Sequence, residues 1–203
     1  MATYGNVKIA IDPGHGGDQP GCTSGGFVEK DCTLELAHRL ADAFAYVFDM
    51  GDVVLTRGLD EHRTLEQRAE FARAEAADLV VVLHFDSNTK PEVGDLATYY
   101  LPEDDIARVA AADIEHCAPQ EVRPHLAQGC LALPNTWTQR AYNVLAHHKG
   151  MHPVLVEAAF LTCTRHQAFL RSPIAMGAIA SGIATGMVPA IRMLEQRLRA
   201  AKV

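Results

Sequence analysis

No run of about 18 apolar residues, the length a membrane-spanning helix needs, occurs in the chain, so no segment is expected to cross a bilayer. The opening stretch, MATYGNVKIAIDPGHGG, has no basic segment followed by an apolar one and reads as carrying no signal peptide. The expectation is a protein made in the cytoplasm and released by another route, or a trimmed form of a secreted or periplasmic one. Basic residues are in the minority: 18 Lys and Arg stand against 25 Asp and Glu, for a formal net charge of −7. That balance argues against a non-specific nucleic-acid binder, whose footprint is a basic patch, and leaves any contact with anionic polymers to local clusters. Cysteine is sparse and unpatterned. Cys22, Cys32, Cys117, Cys130 and Cys163 form no C-x-x-C pair and no even frame. They read as free thiols in a reducing compartment, with one or two disulfides left open. Internal repeats, low-complexity segments and linkers rich in Gly, Pro or Ser are also missing, so residues 1–203 read as a single domain without an appended targeting module.

What is present is ordinary for a globular domain: 203 residues, 48% hydrophobic and 21% charged. A chain of this size buries roughly 70% of its unfolded surface and needs no disulfide staples. Short apolar runs alternate with longer segments of helical period, the pattern of a mostly parallel twisted sheet with helices on both faces. The runs predict about six strands: Val7–Ile11, Val53–Leu55, Leu79–Phe85, Ala97–Tyr100, Gly129–Leu133 and Pro153–Glu157. Leu79–Phe85 and Pro153–Glu157 are apolar on both alternating sets, as strands buried on both faces are.

Helices are predicted from about Lys30 to Phe48, with Ala37, Leu40, Phe44 and Val47 on one face, and from a capping box at Thr64–Gln67 to about Ala77. Others cover about Asp104–His116 and Trp137–His148, and a short one opens on a second capping box at Thr164–Gln167. The last opens at Ser172-Pro173, a cap followed by proline. It runs to about Ala200 with Ile183, Met187, Ile191, Leu194 and Leu198 on one stripe.

Three segments place metal-competent side chains where strands end, which is where ligands gather in open α/β sheets. The first is Asp12-Pro13-Gly14-His15-Gly16-Gly17, a glycine-shaped turn that exposes His15. The second is the Leu79–Phe85 run, which delivers His84 and continues into Asp86, Ser87 and Asn88. The third is Pro153–Leu161, an apolar run carrying Glu157, and a buried strand tolerates a carboxylate poorly unless it is paired or working. Singly, each has a plain reading; a histidine in a glycine loop is commonly a surface residue. Together they offer two histidines and a carboxylate, with Glu29 and Glu35 both available at the start of the first helix. Two histidines, one carboxylate and an open position make a hydrolytic zinc site, and a remaining carboxylate can serve as general base. Glu29 and Glu35 are six residues apart, about 600° of rotation at roughly 3.6 residues per turn, so only one can face a common ion. An acid at a helix N-terminus is also favoured by the helix dipole alone.

These stretches resemble the zinc-dependent N-acetylmuramoyl-L-alanine amidases of the type-3 class, found in bacterial autolysins and phage endolysins. The likeness runs from about Val7 to Gly186 and rests on IDPGHGG at 11–17, Glu29 after the glycine loop, and Thr56-Arg57 followed by Arg63 and Arg68. It continues through AADLVVVLH ending at His84 and VLVEAAFL at 154–161. The resemblance implies one zinc ion held by His15, Glu29 and His84, with Glu157 as the catalytic carboxylate. It further implies hydrolysis of the bond between N-acetylmuramic acid and L-alanine in peptidoglycan. Two departures touch no proposed ligand: Phe85-Asp86-Ser87-Asn88 where the family often reads Ala-Asn, and Ala159 where it reads Gly.

With no leader and no wall-binding module, the chain reads as a phage or prophage endolysin. A zinc peptidase of other specificity and a non-catalytic peptidoglycan-binding relative are the alternatives. Asp12 reads as capping or orienting the loop, or as a partner of a zinc histidine. Arg57 and Arg63 read as solvated or ion-paired, with substrate carboxylates as the other possibility. Arg192, Arg197, Arg199 and Lys202 read as complementing the dipole of the last helix, and His148 and His166 are grouped with solvated or packing histidines. The roles of Asp86 and Asn88 and the oligomeric state are left open.

Overall fold

A computed structural model describes residues 7–48, 52–123, 130–131 and 139–201, with backbone alone at 46–48 and 130–131. Four strands run parallel at its centre: β1 (Ile9–Pro13), β4 (Val53–Leu55), β5 (Leu79–Asp86) and β8 (Pro153–Phe160). β6 (Ala97–Tyr100) lies antiparallel to β8 and carries β7 (Cys130–Leu131) parallel to itself, for a sheet order of β4-β1-β5-β8-β6-β7. The expected six-stranded, mostly parallel sheet is what the chain forms. A two-stranded ribbon of β2 (Thr23–Ser24) and β3 (Phe27–Val28) lies between the glycine turn and the first helix.

Helices cover both faces. α1 (Glu29–Phe48), α3 (Asp105–Cys117), α5 (Thr164–Leu170) and α6 (Ala175–Ala200) pack on one side, α2 (Leu65–Ala74) and α4 (Gln139–His147) on the other. The period of two in the strands sorts residues between them. Ile9 and Ile11, Leu79, Val81 and Leu83, and Val154 and Val156 enter the α1/α3/α6 core; Ala10, Val80, Val82 and Leu155 face α2 and α4. The same parity carries Asp12, His84 and Glu157 onto the α2/α4 face at the carboxyl ends of their strands.

The helical stripes behave as their spacing predicts. Ala37, Leu40 and Phe44 are buried, as are Ile183, Met187, Ile191 and Leu194, with Leu198 partly so. By length and composition α6 could cross a membrane, but its apolar stripe packs against α1 and α3 as a core helix. Thr64 caps α2 through a complete capping box with Gln67.

Other boundaries differ. α5 has Cys163 as its cap with no side-chain bond, because the Gln167 amide turns instead to the Leu161 carbonyl at 2.6 Å and Ser24 Oγ at 3.3 Å. α6 starts two residues past Pro173, since the Ser172 carbonyl closes a turn onto the Ala175 amide. β8 continues beyond Glu157 to Phe160, where the small pair Ala158-Ala159 permits a bulged register against Asp86. Arg197 pairs with Asp105 at 2.6 Å in addition to standing in the last turn of α6. Val47, Gly129, Leu133, Trp137 and Lys202 fall outside the described side chains. Among the described residues, Cys22, Cys32, Cys117 and Cys163 are free thiols.

Candidate metal centre and active-site cleft

β5 and β8 lie side by side with His84 in register with Glu157, so adjacent strands deliver the two side chains to the same face. His15 arrives from the turn after β1, with φ of +60°, a left-handed conformation that a non-glycine residue adopts only when its surroundings impose it. Glu29 is the first residue of α1. Its backbone amide donates to the Cys22 carbonyl at 2.8 Å, which ties the helix start to the glycine loop.

These three side chains converge. Glu29 Oε1 lies 3.1 Å from His15 Nε2 and 2.9 Å from His84 Nδ1, and the two imidazoles meet edge to face with centroids 5.0 Å apart. Glu29 also accepts the Phe85 amide at 3.1 Å on Oε1 and the Cys22 amide at 2.8 Å on Oε2. Burial alone would raise its carboxyl pKa. The hydrogen bonds and charge of His15 and His84 overcome that and hold it below the usual carboxylate range. Glycine is required at two places around this cluster. A Cβ on Gly14 would sit 2.4 Å from His84 Cε1, and one on Gly21, at φ of +68°, 2.4 Å from Glu29 Oε2.

The donor set fits a zinc ion. One ligand atom from each of His15, Glu29 and His84 lies within 4.8 Å of the others. They comprise two imidazoles and an ionised carboxylate, the donors such an ion takes. Glu35, the other acid open to this role, is exposed on the far side of α1 and lies 3.9 Å from Arg39.

Glu157 stands beside the cluster. Its Oε2 is buried with no hydrogen-bond partner among the described residues. Burial first, then the negative charges of Asp86 and Glu29, push its carboxyl pKa well above the usual range. Asp86 is also raised, chiefly by burial, while accepting the Ser87 amide at 2.6 Å. Asn88 is exposed and shapes its loop, donating its backbone amide to Thr162 Oγ1 at 2.8 Å.

His15, Glu29, His84, Asp86 and Glu157 line a cleft of about 960 Å³ that His62, Arg63 and Arg140 also line. Arg63 pairs with Glu61 at 3.0 Å and stacks over Phe71. Arg140, to which the sequence assigns nothing, is exposed, and its charge acts on Asp86.

Two sequence readings need correction. Asp12 touches neither histidine of the cluster. It is buried, accepts hydrogen bonds from Thr56 Oγ1 and from Arg68 Nη1 at 2.8 Å, and lies 3.3 Å from His148 Nε2 without hydrogen-bond alignment. Arg57 is neither solvated nor aimed at the cleft. Its guanidinium is buried among backbone carbonyls, which take up the donors that solvent would otherwise satisfy. Arg68 and His148 were visible as residues, but nothing local marks their contacts: Arg68 reaches 53 residues along the chain to the His15 carbonyl. His148 and His166 are both fully buried, not solvated.

A family model for N-acetylmuramoyl-L-alanine amidase matches residues 9–188. The chain is 35% identical over 102 residues to the sporulation-specific N-acetylmuramoyl-L-alanine amidase of Bacillus subtilis, covering 46% of this chain and 40% of that protein. It is 29% identical over 180 residues to the amidase LytC of the same organism, covering 89% of this chain but only 34% of LytC. Among solved structures it resembles the amidase AmiC2 of Nostoc punctiforme, with a TM-score of 0.74 and 26% identity over 92% of this chain and 97% of that one. An amidase from Clostridium difficile 630 gives a TM-score of 0.77 at 25% identity over the same shares. With the family match running from the first strand into the last helix, this chain belongs to the N-acetylmuramoyl-L-alanine amidase family.

Proposed function

We propose that the chain hydrolyses the amide bond between the lactyl group of N-acetylmuramic acid and L-alanine in peptidoglycan, with one zinc ion held by His15, Glu29 and His84. The observation that carries this reading is the meeting of those three donors beside Glu157, a half-buried carboxylate whose Oε2 has no hydrogen-bond partner among the described residues. A zinc ion held there would supply Lewis acidity, polarising a carbonyl and lowering the pKa of a bound water to about 7.

Glu157 then does the proton work. Its raised affinity for protons suits a group that accepts one from an attacking water. It takes a proton as water oxygen bonds to the lactyl carbonyl carbon and delivers it to the alanine nitrogen as the C–N bond breaks. The products are a lactyl carboxylate and a free amine. Arg63 and Arg140 on the cleft rim supply local positive charge for a carboxylate-bearing stem peptide in a protein of net charge −7.

Residues 1–203 are read as one catalytic domain that acts on the cell wall. The curated relatives named above are bacterial, and we propose the reaction without a release route. Mass spectrometry of a peptidoglycan digest, with and without a chelator, tests the proposal. Free lactyl carboxylates and new alanine N-termini are expected, and only without chelator. Cuts inside the stem peptide would identify a peptidase instead, and binding without new ends a non-catalytic relative.

A further inference from the structure

Three successive carbonyls of the Pro13-Gly14-His15 turn are held from one side by two buried arginines. Arg57 Nε donates to the Pro13 carbonyl at 3.0 Å and Arg57 Nη2 to the Gly14 carbonyl at 2.9 Å. Arg68 Nη1 donates to Pro13 at 2.6 Å, and Arg68 Nη2 to the His15 carbonyl at 2.6 Å. Thr33 Oγ1, from α1, adds a bond to Gly14 at 2.8 Å. Both guanidinium groups are anchored in turn. Arg68 pairs with the buried Asp12 at 2.8 Å, and Arg57 Nη2 also bonds the Lys30 carbonyl at 2.8 Å. Arg57 therefore links the His15 turn to the first turn of α1, where Glu29 sits.

We propose that Arg68, with Arg57, is a positioning residue for the metal centre. By drawing the three carbonyls inward, the pair holds His15 in its left-handed conformation, turns the imidazole outward to Glu29 and His84, and thereby sets the affinity for zinc. The inference rests on the zinc reading above. Its physical basis is preorganisation: a planar fork binds two carbonyls at fixed spacing, and a lysine ammonium with the same charge cannot reproduce it. Partners behind metal ligands are worth about 10- to 100-fold in metal affinity.

The test is zinc affinity measured by competition with a chromophoric chelator, on protein shown to be folded by circular dichroism. Arg68→Lys keeps the charge opposite Asp12 and is expected to bind zinc about 10- to 100-fold more weakly than wild type, with turnover largely recovered at saturating zinc. Leu194→Ala, a core truncation in α6 remote from the cleft, controls for lost stability and should leave zinc affinity unchanged. Should Arg68→Lys not fold, Arg57→Lys probes the same clamp from its other half, with the same expectation. Wild-type affinity in the folded lysine variant overturns the inference, as does an equal loss in Leu194→Ala. Wild-type protein that binds no zinc at all overturns the zinc reading itself, an outcome distinct from either.

Discussion

Glu157 combines burial with negative neighbours, and each works against its ionised form. Replacing it by glutamine keeps the shape and removes the proton acceptor. General-base catalysis contributes about 10²- to 10⁴-fold, so Glu157→Gln is expected to lower turnover by that order while zinc content stays at one ion per chain. A carboxyl whose folded pKa is raised costs stability above its unfolded value. The variant should therefore unfold at the same temperature as wild type or higher at neutral pH. Loss of zinc in this variant would make Glu157 a ligand, and full activity would end the mechanism. The two acids of α1 give a parallel comparison. Glu29 reaches both histidines, whereas Glu35 faces solvent beside Arg39, so Glu29→Gln should lower zinc stoichiometry and Glu35→Gln leave it intact. At this scale His15, His84 and Glu157 stand out because each lies at the end of an apolar run or in a glycine turn, where local sequence carries the signal, whereas Glu29 is singled out from Glu35 by the family resemblance. Arg57 and Arg68 carried no such signal. A buried arginine and a solvated one look alike until the distant carbonyls that absorb the donors are known.

Strands were legible wherever burial on both faces made them continuous apolar runs, as in β5. Helix starts were legible only where the cap is self-contained. Thr64 and Gln67 satisfy each other, but the same pattern at Thr164 loses Gln167 to the Leu161 carbonyl just past β8 and to Ser24 on β2. The N-terminus of α3 shows how a cap can join two elements. Asp104 Oδ1 accepts the Ala107 amide at 3.0 Å and lies 2.9 Å from Nδ1 of His152, the residue before β8. The hydrogen bond to Asp104, opposed by partial burial, raises the His152 pKa above its ordinary 6.5. The stabilisation is thus present in full below pH 6.5 and is lost as pH rises through the higher folded value. Urea unfolding of wild type and His152→Gln is expected to show the larger difference at acid pH and a smaller one in mild alkali. A difference that grows with pH would show that His152 acts through packing and not through its charge.

At the scale of the molecule, the sheet's polarity brings the separate signals together. Four parallel strands end on one edge, and their alternation places His84 and Glu157 on the face toward α2 and α4. The turn after β1 and the start of α1 then close on that edge. This geometry holds two imidazoles and a carboxylate in contact, a donor set that suits a cation and is scattered in the unfolded chain. Zinc should therefore stabilise the folded state by mass action. The gain is about 2.7 kcal/mol when free metal is a hundredfold above its dissociation constant. For domains of this size 1 kcal/mol moves the midpoint by roughly 2–4 °C, so the expected rise is on the order of 5–10 °C. Thermal scans of wild type, first stripped by chelator and then resupplied, should show it. Glu29→Gln, which leaves the histidines without their shared carboxylate, should respond far less at the same zinc concentration. An equal response in both proteins would place the bound metal elsewhere on the chain.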